Sequence, residues 1–519
     1  MEVITRQIEM KQASRKIVNQ FVLDEDYNVP DSKSDVEKIV LSEGSVRIEE
    51  VKPVENYLRV QGNVFFKVLY VAEGFEPTFS CLEGKIPFVE MVYAEEGNEK
   101  SFDVRKAIVE IHVQMVHSRK LRLKAMVELE LETESQKIED IPTDVDCDYN
   151  IYKKQNELEL LRLHTSKKDT YRIKEELTLS GTKESIGMML WSDVSNRKLD
   201  TKLAVDELQL MGELLVFCFY ESPDGKIDWV EQVIPYQGRV ECYGVDETMY
   251  HHVQATLQDV HTDVRVDEDG EMRVVGIEAT LQLYIAVYEE ETMEVLEDLY
   301  SLEANCISTS EEVEYEQLIL QNQSKCKVME RLSIPELRND ILQICHSSGA
   351  IRIDRMEERE DGVWVEGALY ISFLYVKAND GMPFDTWQGV VPFSHLIECG
   401  KMTDNMKYHI SSTLEQLSIS LQGGDEIEVK AVLVFCGFFK NIVKEEMITE
   451  VTMEPISLEQ IEKRPSIIGY IVKKGDNLWS LAKRYATTVK AIEEVNHVTE
   501  ETLKEGDRLL IFKENMSIL

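Results

Sequence analysis

Apolar and polar residues alternate along most of this 519-residue chain. In NVFFKVLYV (63–71), Val64, Phe66, Val68 and Tyr70 fall on one face of an extended segment, because successive strand side chains point to opposite sides. Longer stretches of the same kind come in pairs: AIVEIHVQMV with LRLKAMVELELE, HHVQATLQDVHTDVRV with MRVVGIEATLQLYIAVY, and YHISSTLEQLSISL with EIEVKAVLVFCGFF. HSRK (117–120), DEDGE (267–271) and QGGD (422–425) separate the members of each pair and predict hairpin turns. Such dense period-two patterning predicts antiparallel sheets packed as sandwiches.

The strands also repeat. LRVQGNVFFKVLYV (58–71), LQLMGELLVFCFYE (208–221) and VWVEGALYISFLYV (363–376) each hold a glycine and, eight residues on, a tyrosine: Gly62 and Tyr70, Gly212 and Tyr220, Gly367 and Tyr375. IPF, IPY and VPF follow at Pro87, Pro235 and Pro392, and Val36, Ile186 and Ile341 each precede the glycine by 26 residues. Three tandem copies result, expected over 1–150, 151–312 and 313–455, each too long for a solenoid unit and so a domain. Pro30 and Asp31 are expected to open a helical turn ahead of the first copy's strands. The shared glycines predict a bulge or a close backbone approach, and the shared tyrosines a core position.

Past residue 455 the period changes. Residues 456–468 read as a linker, and Tyr470 and Val472 alternate as a short strand. Lys474, Gly475 and Asp476 turn the chain, and Asn477 is suited to cap a helix by accepting from its free N–H groups. Leu478, Leu481, Ala482 and Tyr485 then form one apolar stripe. Thr488 caps a second helix with Val489, Ile492 and Val495 inward, Asn496 suits the left-handed position that ends it, and DRLLIF (507–512) closes as a strand. The expected fold class is therefore mainly β: three tandem antiparallel β-rich, sandwich-like repeats, then a small α+β domain of strand–helix–helix–strand order at 469–513.

Charge narrows the range of partners. Asp and Glu number 97 against 57 Lys and Arg, a net −40 that repels nucleic acid and anionic membranes. From Ser466 onward there are eight of each sign, so the C-terminal head is neutral and the repeats carry the excess. The opening residues lack an apolar core of export-signal length and no apolar run approaches membrane-spanning length, so a cytoplasmic protein with no membrane span is expected. Nine scattered cysteines without a Cys-x-x-Cys pair predict reduced, buried thiols. No phosphate-binding loop, His-Glu-x-x-His or Gly-x-Ser-x-Gly occurs, and DEDG (267–270) lacks the last acidic ligand of a calcium loop. His251 and His252 begin a strand and would point to opposite faces. No catalytic residue, metal site or cofactor is expected, and the chain reads as a non-enzyme.

Tyr470, Val472, Gly475, Asp476, Leu478, Ala482, Tyr485, Ile492, Asn496, Leu503, Gly506, Leu509 and Ile511 give the head a close resemblance to the LysM domain. It departs in having Asn477 where Thr or Ser is usual, and Phe512-Lys513 where a proline follows the last strand. The resemblance implies a groove for N-acetylglucosamine polymers between the loops Gly475–Trp479 and Asn496–Thr499. Its candidate partner- or glycan-binding residues are Gly475, Asp476, Asn477, Leu478, Trp479, Asn496 and Val498, several of which would equally serve only to build the fold. Trp479, one residue off the apolar stripe, is the expected exposed anchor.

Three β-rich repeats, the first opening with NVPDSKSDVEKIV, followed by this head resemble the SPOCS-domain/LysM spore coat morphogenetic proteins over nearly the full length. Ser180-Gly181 stands in the second copy where the first has Pro30-Asp31. The resemblance implies a coat assembly and encasement factor in the mother-cell cytoplasm, recruited to the forespore surface. Its LysM domain would bind the coat-basement ATPase (SpoIVA-like), and its repeats would bind other coat proteins. The alternative is a peptidoglycan-binding LysM protein.

Overall fold

The computed structural model describes residues 2–11, 16–74, 78–94, 101–134, 136–337, 340–378, 383–457 and 465–513. Part of the expected linker, 458–464, lies outside them. The first repeat comprises β1 (Glu2–Lys11), β2 (Lys16–Asn28), β3 (Val36–Val54), β4 (Tyr57–Ala72), β5 (Thr78–Tyr93), β6 (Ser101–His117), β7 (Lys120–Glu134) and β8 (Gln136–Asp146). The second comprises β9 (Ile151–Thr178), β10 (Met188–Ala204), β11 (Glu207–Glu221), β12 (Ile227–Glu241), β13 (Tyr250–Val266) and β14 (Met272–Ser301). The third comprises β15 (Ala304–Ser333), β16 (Ile341–Arg359), β17 (Gly362–Lys377), β18 (Phe384–Glu398), β19 (Met406–Gly423) and β20 (Glu426–Pro455). The chain passes from second repeat to third at Leu302–Glu303, some residues before the expected boundary at 312, because β15 begins as an extension of its sheet.

Every repeat is a sandwich of two three-stranded antiparallel sheets: β3-β4-β5 on β2-β7-β6, β10-β11-β12 on β9-β14-β13, and β16-β17-β18 on β15-β20-β19. Their inner faces meet in three separate cores, in which Tyr70, Tyr220 and Tyr375 are buried. Tyr70 and Tyr220 also donate to the carbonyls of Ser34 and Glu184, pinning the loop ahead of each first sheet. The helical turn expected at Pro30 is a single turn closed by the Lys33 N–H on the Pro30 carbonyl, too short for helical bonds. The third repeat has a 3₁₀ turn, Pro335–Leu337, at this place.

The repeat glycines serve one purpose three times. Gly62, Gly212 and Gly367 lie directly across from Phe88, Tyr236 and Phe393, each following the shared proline. A Cβ would meet these rings at 2.9, 2.2 and 2.9 Å. At Gly62 and Gly367 it would also meet an opposing carbonyl at 2.5 and 2.2 Å. A register shift sits on the neighbouring strand beside each glycine, so bulge and close approach occur together.

The three sandwiches pack against one another in shared clusters at two ends. At one end Leu69, Phe219 and Leu374, each seven residues past its glycine, meet in a shared apolar cluster with Phe79 and Phe384. Ring centroids from the three repeats stand 5.7 Å (Phe79–Phe219), 5.6 Å (Phe79–Phe384) and 4.9 Å (Phe219–Phe384) apart. At the other end β1 pairs with β8, while the outer halves of β9 with β14 and of β15 with β20 continue as two-stranded ribbons. These three ribbons pack into a stem around Ile8, Ile141, Leu160, Val295, Tyr315 and Met447. Between apex and stem lies a cavity of about 1850 Å³, lined by all three repeats.

A charged cluster fastens the junction of the repeats. His346 of the third repeat is held between Asp193 (2.9 Å) and Glu231 (2.6 Å) of the second, and its ring stacks on Phe217. Burial pulls the imidazole pKa down, but the two carboxylates outweigh this and raise it to about 9. Glu43 of the first repeat faces the cavity. Surrounding protein, and then Asp193, pushes its carboxyl up to about 7, although the residue stays exposed to the cavity.

Candidate binding site

The head is built as its sequence pattern predicts, from β21 (Ile467–Ile471), α1 (Leu478–Tyr485), α2 (Val489–Asn496) and β22 (Arg508–Phe512). Asn477 caps α1, accepting from the Ser480 N–H at 2.7 Å while Ser480 Oγ accepts from the Asn477 N–H. Thr488 caps α2 in the same way through the Ala491 N–H. Two expectations change here. The left-handed residue after α2 is His497 (φ 54°), and Val495 points outward, 43 % exposed. Asn496 stays helical, because its side chain is needed elsewhere. Its amide donates to the carbonyls of Ile492 and Leu510, and its oxygen accepts from the Leu510 N–H, tying α2 to β22.

The candidate residues do come together at the start of α1 with the turn before it and at the end of α2 with the loop after it, but most have work inside the fold. Asp476 accepts from Tyr470 Oη (2.7 Å) and from the Lys473 N–H (2.8 Å), with the latter the larger reason its carboxyl sits below the ordinary range. Leu478 is fully buried, so only its backbone faces outward, and its N–H is taken by the Glu500 carboxylate at 2.8 Å. Glu500 thus bridges the two loops and sits at the positive end of α1, a contact the sequence pattern did not suggest. Val498 is partly buried. Gly475 (φ +89°) has open space where a Cβ would stand and presents bare backbone.

Trp479 is not the exposed anchor expected. Its ring packs edge-on against Tyr300 at the tip of the stem, 4.9 Å between centroids, and its indole N–H donates to Asp298 at 2.8 Å. Lys483, one turn on along α1, donates to the other oxygen of Asp298 at 2.5 Å. Burial draws the Asp298 pKa up, but Lys483 and Trp479 outweigh it and hold the carboxyl below its ordinary value. Tyr300 in turn stacks on Tyr152 and donates to the Thr487 carbonyl at 3.0 Å. Stem and head therefore share one apolar cluster, and the head is moored in a fixed orientation. No local sequence signal marks Asp298 or Tyr300, which are some 180 residues from their partners.

What the moored head leaves bare is the outer face of its two-stranded sheet. Ile467 pairs with Phe512, and Ile471 and Leu510 share their side, all four exposed. Leu510 is also the residue whose backbone Asn496 holds, so this apolar face adjoins the loop pair. Among the described residues no group of three or more metal-ligating side chains converges. His251 bonds Thr201, and His252 lies on the other side against His409.

Comparison with known families agrees with this geometry. The LysM domain matches residues 470–512. The SipL, SPOCS domain matches three times, at 35–117, 185–265 and 340–422. Each SPOCS match covers the first sheet and one edge strand of the second, and stops before β7, β14 or β20, the central strand that completes the sandwich. No curated protein and no solved structure matches the chain. No helix among the described residues is long and apolar enough to cross a membrane. SPOCS and LysM are binding domains rather than catalytic ones, and together they mark a coat-related sporulation protein. The chain thus belongs with the proteins that join SPOCS domains to a LysM domain, and is similar in this to SipL.

Proposed function

We propose that this protein is a non-enzymatic assembly factor of the spore coat whose LysM head recognises a protein, the coat-basement ATPase (SpoIVA-like), at the forespore surface of the mother cell. The observation that carries the reading is what the head exposes. Its sheet face offers Ile467, Ile471, Leu510 and Phe512, large apolar side chains suited to the buried centre of a protein interface. The groove side offers little to a sugar, since Trp479 is spent on the stem, Asp476 and Asn496 on the fold, and the Leu478 N–H on Glu500. The partner would contact backbone of Gly475–Trp479 and Asn496–Thr499 together with this face. The acidic repeats would receive other coat components, and several such contacts on one rigid body give avidity.

The test is to offer the full chain, in parallel, insoluble peptidoglycan and the purified coat-basement ATPase. Retention by the ATPase, weakened about tenfold or more by Phe512→Glu, is expected. Retention by peptidoglycan alone would instead make the chain a glycan-binding protein.

A further inference from the structure

The three repeats act as controls for one another, because fold-determined positions should look alike in all three. One surface does not. On the outer face of the first repeat's first sheet, direct cross-strand partners form rows: Val54–Tyr57–Tyr93, Lys52–Arg59–Met91 and Glu50–Gln61–Val89. Along β5, the outermost strand, this face presents Val89, Met91 and Tyr93, exposed by 53, 44 and 55 %. Val54 and Tyr57 extend it, with the Tyr57 and Tyr93 rings 5.5 Å apart. The same places hold Gln237, Arg239 and Glu241 in the second repeat and Ser394, Leu396 and Glu398 in the third. Where the third repeat does place an aromatic there, Trp364, it is covered by the Arg359 guanidinium at 4.1 Å and bonded to Glu366. The sandwich therefore does not require the apolar residues of the first repeat.

From these observations we infer that this face is where two copies of the chain meet, sheet on sheet about a twofold axis. The five apolar side chains expose on the order of 500 Å². With the rows behind them, that approaches the roughly 800 Å² per partner of a specific interface. Charge does not oppose a second copy here. The molecule as a whole carries −40, which opposes self-association, yet on this face Lys52 and Arg59 balance Glu50, which Lys52 meets at 2.6 Å, and Glu49, which Gln61 reaches at 3.5 Å. A twofold running across the strands between the second and third rows sets each copy's Lys52 against the other's Glu50, and Met91 against Val89. The residues that follow Ala94, Glu-Glu-Gly-Asn-Glu-Lys, lie outside the described residues and contain no large apolar side chain to cover the patch from within the chain. The inference is independent of whether the LysM head takes protein or glycan.

Sedimentation velocity of the full chain over a micromolar concentration series tests it. A reversible dimer is expected, weakened at least about tenfold by Met91→Glu and unaffected by Leu396→Glu, the matching position of the third repeat. Lys52→Glu alone and Glu50→Lys alone should each weaken it, and an equimolar mixture of the two variants should restore it, a rescue between chains that loss of the 2.6 Å Lys52–Glu50 pair within one chain would not show. A chain that stays monomeric throughout, or a dimer indifferent to Met91→Glu, overturns the inference. If the chain is monomeric while Met91→Glu abolishes binding to a different protein, the face belongs to a foreign partner and the second copy is excluded.

Discussion

At the scale of single residues, the repeat glycines show how a sequence signal becomes a steric fact. At Gly367 a methyl group would press on the Arg352 carbonyl at 2.2 Å and on the Phe393 ring, neither of which can swing away from a paired strand. Gly367→Ala should cost about 2 kcal/mol in a urea titration, whereas Gly181→Ala, with nothing within 4 Å, should change little. A cost at Gly181 as large as that at Gly367 would contradict this. His346 and Glu43 make stability depend on pH in the same direction. The imidazole is raised from an ordinary 6.5 to about 9 and the carboxyl from 4.5 to about 7, so in both ranges the folded chain binds more protons than the unfolded one. Their contribution is therefore greatest in acid and is lost as pH rises through about 7 and then about 9. The groups facing them are Asp193 and Arg197 on β10, Glu231 on β12 and Lys67 on β4. His346→Gln should flatten the fall in urea stability between pH 6.5 and 9. An unchanged slope would place the titration elsewhere.

At the scale of elements, strands and head were legible and the long-range contacts were not. Period-two alternation located the strands and DEDGE and QGGD the turns, because each depends on neighbours a few residues away. Asn477 and Thr488 announced their helices for the same reason. The stem was hidden: β14 and β20 each run through 30 residues, from sandwich into ribbon, and the pattern does not say where the partner face changes. Trp479 was singled out correctly as off the stripe of α1, but its partner is Asp298 of the chain itself rather than an external ligand. That mooring has a measurable consequence. Asp298→Ala removes the acceptor of both Trp479 and Lys483, and amide exchange in α1 and around Thr487 should speed up about tenfold or more while the sandwiches keep their protection. Unaltered exchange in α1 would show that the stem contact does not hold the head.

At the scale of the whole molecule, three repeats whose mutual packing the sequence leaves open close into one body. Apex cluster, charged junction and stem each take side chains from more than one repeat, so no sandwich has all its apolar surface covered alone. The body carries the acidic surface and the first repeat's bare face, and it fixes where the neutral head points. A body with several surfaces and a moored head would suit the coat-assembly role proposed above. On the proposed function the head takes a protein through its loops and apolar sheet face. A competition titration tests it most directly: the full chain bound to the coat-basement ATPase, challenged with a soluble N-acetylglucosamine oligomer. The expected result is a complex that the oligomer fails to displace and that Phe512→Glu weakens. Displacement by the oligomer, or binding of the oligomer with none of the ATPase, would contradict it.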